Sequence, residues 1–196
     1  MEKDTAFQKF IQDVEQCRLC AGEIPEPRPV FRFQPTATIL VVGQAPGRKV
    51  HETGIPWNDA SGKLLRDWMG ISSADFYDER RIAILPSAFC FPGTDPGKGD
   101  RPPPRICFET WHHRFMAWFE PKLILAIGRY AIQNYLGISD PVGHVVADWQ
   151  THWKAKAIFP LPHPSPRNRK WLRDRPWFEI KVIPALREII QQHITP

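Results

Sequence analysis

Cys17, Cys20, Cys90 and Cys107 are the only cysteines of the chain, and their spacing is the first sign of chemistry. Two residues separate the first pair and sixteen the second. Four thiolates suit a tetrahedral zinc ion or a four-iron–four-sulfur cluster. A Cys-x-x-Cys pair in a chain expected to work in a reducing compartment reads as metal or redox chemistry rather than a structural disulfide. A thioredoxin-like role would need the pair to follow a strand and open a helix, whereas Cys17-Arg-Leu-Cys20 closes a helical stretch. Spacing alone leaves zinc, a cluster and four unrelated cysteines open. Two further stretches carry chemical residues: Val41-Val-Gly-Gln-Ala-Pro-Gly47 and His163-Pro-Ser-Pro-Arg-Asn168. Glycines in the first let a ligand approach the main chain closely.

These residues need elements to position them. Thr38–Val42, Arg81–Leu85, Lys122–Gly128 and Ala155–Leu161 are short apolar runs of strand length. Phe7, Phe10, Ile11 and Val14 recur at helical spacing over residues 4–17. Ser61-Gly-Lys-Leu-Leu-Arg-Asp-Trp-Met predicts a helix with Ser61 as N-cap. Cys107–Phe119 and Trp177–Gln192 predict two more, the latter kinked at Pro184. Residues 21–36 read as a proline-rich connector and 138–153 as a surface excursion, whose His144 and His152 are assigned no role. Residues 91–104 form a long loop that Cys90 and Cys107 would tie down. Strands alternating with helices predict a three-layer α/β/α sandwich around a central, mainly parallel four-stranded sheet. The glycine loop after the first strand and His163 after the last then face one crevice at the strands' carboxyl ends.

Whole-chain properties set the bounds. A chain of 196 residues, 42% hydrophobic and 24% charged, is long enough for one domain, residues 1–196, with a sizeable core. No run is long enough to span a membrane, and no signal-peptide apolar region precedes Cys17, so a cytoplasmic monomer is expected. A net charge of +5 suits a polyanionic partner. Eight tryptophans and 21 prolines point to ordered loops with flat stacking surfaces.

Gly43-Gln-Ala-Pro-Gly47, then Gly54-x-Pro-Trp57, then Gly62-x-Leu-Leu65 resembles the first motif of the uracil-DNA glycosylase superfamily. The likeness is strongest to its iron–sulfur family four enzymes, which show Gly-Glu-Ala-Pro-Gly, Gly-x-Pro-Phe and Gly-x-Leu-Leu at the same intervals. Those enzymes also carry an early Cys-x-x-Cys and a later, widely spaced pair. Ile127-Gly-Arg-Tyr-Ala131 matches a further short family motif, and His163–Asn168 is similar to the second motif of the single-strand-selective monofunctional branch. The resemblance implies a four-iron–four-sulfur cluster, in preference to zinc, on Cys17, Cys20, Cys90 and Cys107. Residues 1–36 then form a cluster-binding helix and connector, stapled to the core.

The implied activity is monofunctional hydrolysis of the N-glycosidic bond of a damaged base in DNA, for base excision repair. Such chemistry extrudes the base into a pocket and stabilises the departing anion. Trp57 would stack under the base, with Ala45, Pro46, Pro86 and Ser87 around it. His163 would donate to a base carbonyl, with Gln44 the second catalytic residue. Arg167 would wedge into the duplex, while Gly47, Ser61, Ser165 and Asn168 meet the backbone. Arg169–Arg175, basic and interleaved with Trp171, would extend that surface. The chain departs from the pattern at Gln44, where the family has Glu, and at Val50, where an acid is expected. Pro86 falls where family four has the Asn that reads uracil. An amide orients water without accepting its proton, and proline offers no side-chain hydrogen bond. The base therefore stays open among uracil, a deaminated purine and another damaged pyrimidine. Two other readings stand beside this one. They are a catalytically silent iron–sulfur protein that binds damaged or abasic DNA, and a stapled domain acting on free nucleotides.

Overall fold

A computed structural model describes residues 2–194. The chain begins with α1 (Glu2–Glu15), β1 (Ile39–Val42), α2 (Arg48–Thr53), α3 (Ala60–Met69), α4 (Ser73–Phe76) and β2 (Ile82–Ile84). A two-stranded hairpin follows, β3 (Thr94–Asp95) and β4 (Gly99–Asp100), then α5 (Arg105–Met116), β5 (Leu123–Ile127) and α6 (Gly128–Leu136). The last part holds α7 (Val142–Ala147), α8 (Trp149–Lys156), β6 (Ile158–Leu161), α9 (Arg169–Arg173) and α10 (Ile183–Ile194).

The central sheet runs β2-β1-β5-β6, and every pairing is parallel. Ile39 stands opposite Ile82 on one side and Leu123 on the other, so β1 is paired along both edges. Its residues are fully buried, as continuous apolar runs in a covered parallel sheet should be. Alternation along β1 separates the two cores. Ile39 and Val41 pack with Leu65, Trp68 and Met69 of α3 and with Leu186 and Ile190 of α10. Leu40 and Val42 pack with Phe10 and Val14 of α1, Phe115 of α5 and Ile132 of α6. The result is the expected three-layer sandwich, its sheet wholly rather than mainly parallel.

An aromatic cluster holds α1 and the connector to this core. Phe10, Phe31 and Phe33 meet the Phe115 ring edge-on at centroid distances of 4.8, 5.5 and 4.9 Å. Such pairs contribute about 0.5–1.5 kcal/mol each beyond their buried area. The connector also closes the outer edge of β2, where Arg32 N–H donates to the Ile84 carbonyl and Ile84 N–H returns the bond, at 3.0 and 2.8 Å.

Four expectations change. Asp59, not Ser61, caps α3: it has extended backbone and accepts the Gly62 N–H at 2.8 Å. Residues 138–153 are not a loose excursion, because α7 and α8 pack there, with Trp149 stacked on Phe159 at 4.7 Å. The final helix does run on through Trp177, but its departure from α geometry comes before Pro184. Phe178–Val182 forms a π turn in which Ile183 N–H reaches back to the Phe178 carbonyl. Pro184 follows directly on this π turn, inside the helical run, where the widened turn accommodates its missing N–H. Last, the long loop after Cys90 contains the β3–β4 hairpin. Among the described residues no helix is long and apolar enough to cross a membrane.

Candidate functional site

The chain leaves β1 for β2 on one side and returns to the other side of β1 at β5. Open parallel sheets bind ligands beside such a reversal, outside the strands' carboxyl ends. A cavity of about 420 Å3 opens there, lined by the loops after β1, β2 and β6 and by the β3–β4 hairpin. It gathers Gln44, Ala45, Pro46, Gly47, Trp57, Ser61, Pro86, His163, Ser165 and Arg167 of the expected residues.

Trp57 is held by force of packing. Its φ of 55° lies in the left-handed region, a conformation that costs a bulky residue about 1–3 kcal/mol. The segment is pinned at two carbonyls: the Tyr77 hydroxyl donates to Pro56 at 2.9 Å, and the Arg66 guanidinium to Trp57 at 3.4 Å. Two glycines give it room. A Cβ on Gly62 would lie 1.7 Å from the Trp57 carbonyl oxygen, and one on Gly43 would lie 2.8 Å from Cζ2 of the indole. The indole then faces the His163 ring, with centroids 5.7 Å apart and planes 30° from parallel.

His163 is fixed from its backbone side. Its carbonyl accepts the Ser165 N–H and the Asn168 side-chain amide, both at 2.8 Å. Among the described residues none hydrogen-bonds either ring nitrogen. Burial lowers the pKa of the imidazole, partly countered by the Asp59 carboxylate. The ring is therefore neutral at pH 7 and offers one N–H donor and one acceptor to a ligand.

The remaining expected residues sort by what they touch. The Gln44 amide donates to the Arg101 carbonyl at 3.2 Å, tying the β1 loop to the hairpin. The Arg167 guanidinium lies over the hairpin backbone, 3.0 Å from where a Gly99 Cβ would stand. Asn168 braces His163 and is not part of the lining. Ser87 is also outside it: the residue is 1% exposed, and its hydroxyl donates to the Gly43 carbonyl at 2.9 Å. It thus ties the loop after β2 to the loop after β1.

Sequence reading missed several supports. Buried His112 donates from Nε2 to the Pro86 carbonyl at 3.0 Å and accepts at Nδ1 from the Tyr135 hydroxyl at 2.9 Å. The tautomer follows, because a carbonyl can only accept. Burial brings the His112 pKa down to about 4. His112 thereby sets the position of Pro86 at the cavity wall. Asp59, Arg66, Tyr77 and Asp100 were equally unread. Only the Asp59–Gly62 spacing, a cap signature, marked any of them.

The four cysteines line a second, apolar cavity together with Ile24, Phe89 and Pro104. Trp111 Nε1–H donates to Cys17 Sγ and Phe89 N–H to Cys107 Sγ, each at 3.3 Å. The Arg28 backbone N–H meets Cys90. Burial pushes the Cys90 and Cys107 thiols up to about 11 and 12, and the Cys20 thiol upward too. The charge of a bound metal centre would reverse that shift and favour thiolates. Among the described residues no group of three or more His, Cys, Asp or Glu could hold a single metal ion. One tetrahedral ion needs sulfurs only about 3.8 Å apart, given metal–sulfur bonds of about 2.3 Å. An all-thiol donor set, apolar walls and N–H groups aimed at sulfur do fit a thiolate-ligated cluster.

Residues 30–187 match the uracil DNA glycosylase superfamily. The matched span contains the whole sheet, the cavity loops, Cys90 and Cys107, while Cys17 and Cys20 precede it. Over that length the motifs, their order and their convergence on one cavity coincide, and the chain belongs to the uracil DNA glycosylase superfamily.

Proposed function

We propose that this protein is a monofunctional DNA N-glycosylase that removes uracil or a related deaminated base during base excision repair. The observation that carries the reading is the Trp57–His163 pair, an aromatic floor and a neutral N–H donor 5.7 Å apart in one cavity. A flipped base stacks on the indole, and Ala45, Pro46 and Pro86 flank it. The glycosidic bond breaks heterolytically, its electron pair leaves on the base, and the His163 N–H stabilises the developing negative charge at a base carbonyl. A neutral imidazole suits this task, since burial opposes its protonation. Arg167, at the rim, fills the gap left in the duplex, while Ser165, Gly47 and the start of α3 at Ser61 meet phosphates.

We further assign the chain to the iron–sulfur family four group, with a second motif like the single-strand-selective branch, on the motif likeness and the cysteine spacing. Cys17, Cys20, Cys90 and Cys107 would hold a four-iron–four-sulfur cluster, whose part is to anchor the connector and the hairpin loop. The protein is read as one domain that works as a cytoplasmic monomer. Pro86 supplies no side-chain hydrogen bond, so base identity is read through the main chain and through shape, and uracil need not be the preferred base.

A second reading rests on Gln44, whose amide is bound to the Arg101 carbonyl: with no acid at this position, the protein would bind damaged or abasic DNA without cutting it. A strand-nicking assay with alkali separates the two. Oligonucleotides carrying uracil, hypoxanthine, xanthine or no lesion are tested single- and double-stranded. Nicking of a lesion strand is expected, with His163→Ala losing product while retaining affinity for DNA. Tight, salt-sensitive binding with no nicking of any strand would establish the silent protein.

A further inference from the structure

The hydrolytic half of this reaction needs a group that takes a proton from water, and neither motif supplies one. Gln44 cannot accept a proton, and Val50 is apolar. Two carboxylates line the cavity, Asp59 and Asp100. Asp59 is engaged as the cap of α3 by the Gly62 N–H at 2.8 Å. Asp100 comes from β4 and enters from the opposite wall. Its Oδ1 accepts the Thr94 hydroxyl at 2.8 Å, which fixes the carboxylate across the hairpin. Its Oδ2 lies 3.5 Å from where a Gly47 Cβ would stand and has no hydrogen bond from another described residue. The adjacent Arg101 carbonyl holds the Gln44 Nε2 at 3.2 Å. That bond orients the amide from the residue next to Asp100 and leaves Gln44 Oε1 as an acceptor. Arg101 itself is paired with Asp95 at 2.8 Å and does not quench Asp100.

We propose that Asp100 is the general base of this glycosylase: it and Gln44 Oε1 hold the attacking water, and the hairpin supplies the acid missing from the first motif. The step balances. The C1′–N bond breaks and its pair goes to the base. The water oxygen bonds to C1′ of the oxocarbenium-like sugar, and the water proton passes to Asp100 Oδ2. The released base takes a proton from solvent. The carboxylate charge also stabilises the cationic sugar. This inference rests on the glycosylase reading.

The test is single-turnover base release, on the best substrate from the nicking assay, paired with binding to DNA holding an abasic-site analogue. Asp100→Asn keeps an oxygen for the Thr94 hydroxyl but cannot take a proton. It should slow release at least about 100-fold, the ordinary scale of general-base catalysis, with binding within about threefold. Thr94→Val, which removes only the hairpin bond, should lose far less. Asp100→Asn releasing base within threefold of wild type would overturn the assignment and leave the glycosylase reading standing. So would a loss confined to Asp59→Asn, which would move the base to the cap of α3. A wild-type protein that releases no base from any substrate would instead overturn the reading beneath it.

Discussion

Gly62→Ala should disable the site by moving Trp57, and its magnitude can be worked from the contact. The new Cβ would lie 1.7 Å from the Trp57 carbonyl oxygen, whereas ordinary contact begins at 3.4 Å, so the carbonyl must retreat by about 1.7 Å. The obstacle is backbone, already strained at φ 55° and tied by the Arg66 guanidinium at 3.4 Å. Overpacking of this kind costs about 1–3 kcal/mol, while alanine in place of glycine in a helix returns about 1 kcal/mol. A net loss of up to about 2 kcal/mol should lower the melting temperature by up to about 4–8 °C in a chain of this size. Base release should fall about 100-fold, because displacements near 1 Å at a reacting group have that effect. Gly43→Ala is the comparison. Its Cβ meets only the rim of the indole, at 2.8 Å, so its stability defect should vanish when combined with Trp57→Ala. The Gly62→Ala defect should persist in that background, since the carbonyl stays. Calorimetry and single-turnover kinetics on the three single and two double variants decide it. Gly62→Ala at wild-type stability and rate, or relief of its defect by Trp57→Ala, would refute the account.

His112 predicts an acid-labile fold. Its pKa is about 4 when folded and about 6.5 when unfolded, so below pH 6.5 the unfolded chain binds a proton that the native state refuses. Stability is lost as pH falls from 6.5 towards 4, by about 2.5 kcal/mol at pH 4.5, and urea titrations of His112→Gln should lack this component. The cysteine set predicts a brown protein with about four iron and four sulfide per chain, against which a colourless, zinc-containing protein would decide. Trp111→Phe removes the N–H donor to Cys17 and should lower the reduction potential of the proposed cluster in voltammetry, with the iron content unchanged.

The sheet was legible because its strands are short apolar runs that need burial on both faces, a pattern that survives any tertiary context. The pocket was legible for a related reason. The first and last sheet strands end in loops rich in glycine, proline and histidine, and parallel topology brings such loops together. What escaped was held by contacts distant in sequence. His112 reaches Pro86 from the middle of a helix whose buried face looks like ordinary core. Tyr77 and Arg66 act on the carbonyls of Pro56 and Trp57, which no side-chain pattern reveals. Ser87, expected at the base, is turned inward, where its hydroxyl joins its own backbone N–H on the Gly43 carbonyl. The cap of α3 was misplaced by two residues, since Asp59 and Ser61 are both good caps and only backbone geometry chooses between them.

The β3–β4 hairpin belongs to neither hydrophobic cluster, and none of residues 94–100 is buried. Yet it forms one wall of the cavity through Lys98, Gly99 and Asp100. Outside Asp100 and its Thr94 partner, this wall can therefore accumulate substitutions without endangering the fold, while the opposite wall, Trp57 with its two glycines, tolerates almost none. Selection for a new lesion would act on the freer residues around Asp100, set against a frozen wall, and diversity among relatives should concentrate between the third and fourth cysteines.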